Sequence, residues 1–186
     1  AQGVVESDAT ISGNQRVASI GVGLSYRPGT STFGATAGLG VVNSADTVAG
    51  NQVIAAVGVG MLAPAGSSIF GNLINTVSLE GLGSVAFTGS INGTQNLSGV
   101  GVGLMLGSGA TIVGSITNSN AGILAGRGYV SVEQGAGSQH ISGVGVGLLV
   151  NEFSTVTGSI ANFGTILGEG SSSLAGMLSA GSGILL

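Results

Sequence analysis

The chain has 186 residues, a length that fits one domain of ordinary size. Glycine supplies 38 of them and charged residues 5%, with no cysteine, three arginines against seven carboxylates, and a formal net charge of -4. That balance argues against a nucleic-acid binder, which needs clustered Lys and Arg, and rules out disulfides, zinc–thiolate sites and cysteine nucleophiles.

A mean hydropathy of +0.62 raises the question of membrane insertion. Glycine and small polar residues interrupt every apolar run before it reaches the roughly 18 residues of a spanning helix, so no transmembrane helix is expected. A hydrophobic content of 43% with only two prolines is also the opposite of a disordered composition. Ala1-Gln2-Gly3 reads as a mature end left after signal cleavage, and so points to a secreted protein.

In chain order, residues 1–12 carry Val4, Val5 and Ile11 with Glu6 and Asp8, and read as an edge strand or cap. Residues 13–170 contain one phrase four times: Gly21-Val22-Gly23-Leu24, Gly58-Val59-Gly60-Met61, Gly101-Val102-Gly103-Leu104 and Gly145-Val146-Gly147-Leu148. Their starts lie 37, 43 and 44 residues apart. Other columns keep the same offsets: Gln15, Gln52, Gln95 and Gln139 six residues before each start, and Gly13, Gly50, Gly93 and Gly137 eight before. Downstream, Ser31, Ser68, Thr111 and Thr155 follow at ten residues, and Gly34, Gly71, Gly114 and Gly158 at thirteen. Such internal periodicity marks a stacked-repeat architecture.

Within a copy the period is two. Val144, Val146 and Leu148 alternate with Gly145 and Gly147, which predicts a strand with branched residues on one face and bare backbone on the other. Further strands are predicted at Gly128–Glu133, Thr155–Ile160 and Gly164–Leu167, so each copy holds four short strands joined by Gly, Asn and Ser turns. The expected fold class is all-β: a β-solenoid, or β-helix, of four imperfect repeats with short terminal extensions. A copy of about 44 residues would make two coils of about 22 each, its valines and leucines forming an internal ladder and its Asn and Gln side chains bonding along the axis. Stacking also accounts for the scarce charges, since like charges would recur about every 4.8 Å. The tail, residues 171–186, is apolar and uncharged, and is expected to fold back over the last coil or dock on a neighbouring molecule.

Gly158-Ser159-Ile160-Ala161-Asn162-Phe163-Gly164-Thr165-Ile166-Leu167-Gly168 resembles the Gly-Ser-Ile-x-Asn-x-Gly-Thr-Ile-x-Gly phrasing of bacterial autotransporter passenger domains, and Gly114-Ser115-Ile116-Thr117-Asn118 repeats its opening. The glycine-rich repeats bearing Asn and Gln also resemble secreted amyloid-type fibre subunits. Either resemblance implies an extracellular bacterial surface or matrix protein and brings no catalytic residues.

The chemistry-bearing residues are few. His140 shares a column with Arg16, Val53 and Asn96, as an outward or edge position would, and imidazole-pair metal binding needs a second histidine. Paired carboxylates are required for glycosidase work, and Asp46, Glu80, Glu133, Glu152 and Glu169 are scattered, although Glu80 and Glu169 fall near the ends of their copies. No catalytic, metal or cofactor residues are assigned. The Gly-x-Gly cores lack the third glycine and the helix of a dinucleotide loop.

The leading expectation is a secreted structural subunit that assembles with its own kind, end to end, into a fibre, sheath or matrix filament. The alternative is an adhesin module that contacts a cell-surface or matrix polysaccharide. A membrane β-barrel is a third reading, set back by the lack of aromatic girdles. The candidate assembly residues are the glycine pairs Gly21/Gly23, Gly58/Gly60, Gly101/Gly103 and Gly145/Gly147, with Leu174, Met177, Leu178, Ile184, Leu185 and Leu186 of the tail. The same glycines have a purely architectural reading, in which the fold is narrow there and opposing sheets need bare backbone to approach.

Overall fold

The computed structural model describes residues 2–7, 11–25, 36–44, 48–174, 177–180 and 184–185. The chain enters on β1 (Gln2–Ser7) and β2 (Ile11–Ser12), and continues through β3 (Gln15–Ser25), β4 (Thr36–Ser44) and β5 (Val48–Ala49). A complete circuit follows: β6 (Gln52–Ala63), β7 (Ser68–Phe70), β8 (Leu73–Asn75) and β9 (Ser78–Asn92). The next is β10 (Gln95–Leu106), β11 (Thr111–Val113), β12 (Ile116–Asn118) and β13 (Ile123–Ala136). The last is β14 (Gln139–Val150), β15 (Thr155–Val156), β16 (Ile160–Asn162) and β17 (Thr165–Leu174), after which the chain ends in β18 (Met177–Ala180) and β19 (Ile184–Leu185).

The structure is all-β with parallel sheets. One long sheet runs β1-β4-β9-β13-β17 and a second runs β3-β6-β10-β14-β19, with two narrow sheets, β7-β11-β15 and β8-β12-β16, closing one side. Among the described residues, only the β17–β18 pairing is antiparallel. Strands pair with their counterparts one circuit away, so the sequence columns lie on one another: Gln15, Gln52, Gln95 and Gln139 are neighbours in the ladder, as are Gly21, Gly58, Gly101 and Gly145.

Stacked residues lie one copy apart, 43 residues at Asn75–Asn118 and 44 at Asn118–Asn162, so one copy makes one circuit and the two-coil expectation does not hold. That expectation rested on four short strands per copy. Here two of the strands run to 12 and 15 residues, and with two of three residues they take up most of the copy.

The two long sheets face each other across two separate cores. One contains Met61, Ile69, Leu73 and Leu79 with their counterparts in the next circuit; the other contains Ile54, Val85, Phe87 and Ile91. Between them the sheets meet at a glycine waist. A Cβ on Gly60 would lie 2.6 Å from the Glu80 amide nitrogen of the opposite sheet, and one on Gly103 2.6 Å from that of Ala125. Gly81 and Gly83 answer Gly58 and Gly60 from across the gap, each with the other sheet's backbone where a side chain would go. A side chain there would press on backbone that cannot rotate away, so alanine is disfavoured at these positions.

Polar columns fix the corners. Asn75 Nδ2 donates to Asn118 Oδ1 at 2.8 Å, and Asn118 Nδ2 to Asn162 Oδ1 at 2.7 Å, an amide ladder in which Asn75 and Asn118 are buried. The glutamine column works differently. Gln95 Nε2 donates to the carbonyls of Asn92 at 3.1 Å and Gly50 at 2.8 Å, tying a turn to itself and to the circuit before it. Gly13, Gly50, Gly93 and Gly137 occupy these turns with φ between 86° and 104°, a left-handed backbone that disfavours any side chain.

Candidate functional site

The eight core glycines belong to the waist. Gly58, Gly60, Gly101, Gly103, Gly145 and Gly147 are buried, and a Cβ on any of them would strike atoms of the facing sheet. Gly21 and Gly23 meet Leu39 and Ala37 in the same way. They are therefore corrected from an external assembly face to an internal contact.

With the glycines turned inward, the valines that alternate with them must turn outward, against the expectation of an internal valine ladder. The outer face of the second long sheet carries Ile20, Val57, Val100 and Val144 in one column and Val22, Val59, Val102 and Val146 in the next. At Gly60 and Gly103 the ladder skips a pair, and the strand changes face: Met61 and Leu104 turn into the core, and Leu62 and Met105 turn out. The kink forms a crease. Val59, Val102 and Val146 lie at its floor, only 1 to 3% exposed, between half-buried Val57 and Val100 on one side and Leu62, Met105 and Leu149 on the other. The column beyond Val57 is small, Ala18, Ala55, Ser98 and Ser142, and the outermost is Arg16, Val53, Asn96 and His140, all exposed.

Sequence reasoning missed this face. The signal that exposes it is a second glycine pair in each copy, Gly38/Gly40, Gly81/Gly83, Gly126/Gly128 and Gly168/Gly170. Two glycine pairs per circuit predict two sheets pressed together at backbone distance, which leaves the interleaved valines only the outside.

The tail turns back on the last circuit. β18 pairs antiparallel with β17, Leu174 opposite Met177 and Ser173 opposite Leu178, while Ile184 and Leu185 of β19 pair with Leu148 and Leu149. Leu174 packs against the second core. Leu174, Met177, Leu178, Ile184 and Leu185 thus lie along the last circuit and do not project as a free docking arm. Leu186, Tyr26, Ser31, Phe33 and Asp46 lie outside the described residues.

One charge cluster sits on the outer face of the first long sheet. Arg127 is directly opposite Glu169 on the neighbouring strand and donates from Nε to Oε2 at 2.9 Å; Glu80 stands diagonally, 3.7 Å from the same guanidinium. Tyr129 donates its hydroxyl to Glu169 Oε2 at 3.1 Å. The hydrogen bond to Glu169 raises Arg127 above its ordinary pKa, and burial, then the bond to Glu169, raises Tyr129. Glu80 and Glu169 fall in different columns, and Arg127 bridges the two carboxylates. Among the described residues no three His, Asp or Glu side chains converge as metal ligands, and no helix is long and apolar enough to cross a membrane. A surface depression of about 260 Å³ between Ser90, Asn92 and Gln134 contains no ionisable side chain.

Ser68, Thr111 and Thr155 stack on the first narrow sheet. Phe70, Phe153 and Phe163 are 78, 82 and 68% exposed, Phe153 with a left-handed φ of 61°. No protein family, curated protein or solved structure matches the chain.

Proposed function

We propose that the chain is a β-solenoid and serves as a structural subunit of a secreted bacterial fibre, sheath or matrix filament. The observation that carries this reading is the lower edge of β3. Its 11 residues contain one charge, Arg16, and no described strand lies on the side away from β6. An edge of that length with a single charge and no described partner is a template for another chain.

The repeat makes the template specific. β3 carries the same Gln, Gly-x-Gly and Leu columns as β6, β10 and β14, so the β3 of one copy fits above the β14 of another as the next strand in register. Among the described residues, β19 covers Leu148 and Leu149 of the upper edge of β14. Stacking then propagates head to tail, with the hydrogen-bonding groups of the long sheets as the source of affinity.

Electron microscopy at micromolar concentration without detergent tests this. Filaments with a regular axial repeat are expected; discrete particles at every concentration would refute it.

The exposed phenylalanines favour a second reading, an adhesin module of the autotransporter-passenger type that stacks Phe153 and Phe163 on a surface polysaccharide. Retention on insoluble polysaccharide, lost in Phe153→Ala and Phe163→Ala, is its expected signature.

A further inference from the structure

We infer that the outer face of β3, β6, β10 and β14 is a lateral interface that pairs with the same face of a second copy. This rests on the self-assembly reading and adds to it a contact perpendicular to the stacking direction.

The face has the composition of an interface core with a rim. Its central columns, those of Val57, Val59 and Leu62, are uncharged, while the two ionisable side chains Arg16 and His140 stand in the outermost column. Strands of 12 residues at about 3.3 Å per residue, four of them about 4.8 Å apart, give a face of roughly 40 by 19 Å. The accessible apolar surface comes from the flanking columns, those of Val57 and Leu62, with Val59, Val102 and Val146 between them only 1 to 3% exposed. Pairing the whole face buries roughly 1,500 Å² across two copies, within the 1,200–2,000 Å² typical of a stable specific interface.

A second copy is the occupant whose period matches. Rows of valines recur about every 4.8 Å on both faces, so side chains of one copy fall between rows of the other, as in dry sheet-to-sheet packing. The relief is self-complementary too: the half-buried Leu62–Met105–Leu149 ridge on one copy meets the Val59–Val102–Val146 crease of the other, and a twofold axis repeats the contact. A lipid surface has no such period to match, and the absence of charge from the central columns gives an anionic headgroup nothing to pair with.

The test is sedimentation of the full chain below the concentration at which filaments form, with Val57→Lys/Val100→Lys and the milder Val100→Thr. The wild type is expected at twice 17.7 kDa. The lysine variant is expected to keep its β-sheet circular dichroism and sediment as a monomer, its dimer dissociation constant raised about 100-fold or more by the buried unpaired charges. Val100→Thr gives an intermediate shift should the lysine variant fail to fold. A wild-type monomer up to 100 µM, or variants with wild-type mass, overturns the inference, as does a monomer that floats with phosphatidylcholine vesicles. Microscopy separates this from the fibre reading: single-width wild-type filaments refute the lateral interface and leave the fibre, whereas dimers that never elongate refute the fibre and leave the interface.

Discussion

Replacing Gly103 by alanine tests the waist directly. The added Cβ would lie 2.6 Å from the Ala125 amide nitrogen and 2.6 Å from the Gly147 carbonyl oxygen, both backbone atoms. Ordinary van der Waals contact begins near 3.4 Å, so the sheets must part by about 0.8 Å where packing density leaves no slack. Overpacking costs about 1–3 kcal/mol, and neighbours that cannot rotate place this site at the upper end. Alanine returns about 0.5–1 kcal/mol by restricting the unfolded chain, leaving a net loss of about 2 kcal/mol. For a chain of this size that lowers Tm by about 4–8 °C. Gly135→Ala is the internal control, because its nearest neighbour is the Leu174 side-chain Cδ1 at 2.9 Å, which can swing aside. Its Tm should stay within about 2 °C of wild type. Thermal melts followed by circular dichroism decide the matter. Equal melting of the two variants would mean that the sheets are not in backbone contact, and the outward placement of the valines would fall with it.

Asn118→Leu should destabilise by about 2–4 kcal/mol, because it buries a mismatch at a 2% exposed position and strips the acceptor from buried Asn75 and a donor from Asn162; replacing all three asparagines together should cost less than the sum of the singles, measured by chemical denaturation. Tyr129 is held above its ordinary pKa of 10.0, so its contribution is complete below that pH and declines as the unfolded chain ionises first and the folded phenol later. Wild type should therefore lose Tm above pH 10 more steeply than Tyr129→Phe, and parallel pH profiles would refute this. Removing residues 175–186 uncovers the upper edges of β17 at Ser171–Leu174 and of β14 at Leu148–Leu149. Faster filament growth by light scattering is expected, and slower growth would mark the tail as part of the growing end.

The repeat columns were legible because each does a local job: glutamine clips its own turn through a carbonyl three residues back, and glycine takes the left-handed corner. The facing of the strands was not legible from one copy of the phrase. Alternation in Val144-Gly145-Val146-Gly147 states that two faces differ, but the period-two pattern is silent on which faces in. Burial of valine is the ordinary default, and it fails here because the strand of Gly168 and Gly170, about two dozen positions downstream, occupies the opposing wall. The change of face at Gly60 was hidden for a similar reason, since a skipped pair leaves the composition of a strand untouched.

The glycine waist also insulates. The two cores form separate clusters with the glycine backbone between them, so a change of volume in the Met61–Leu79 lobe has little side-chain contact through which to reach the Ile54–Phe87 lobe, whereas within each lobe residues lean on their copies above and below. Substitutions should thus couple along the axis and add independently across it. The chain amounts to two parallel cables sharing one seam, and either can be respliced without retuning the other.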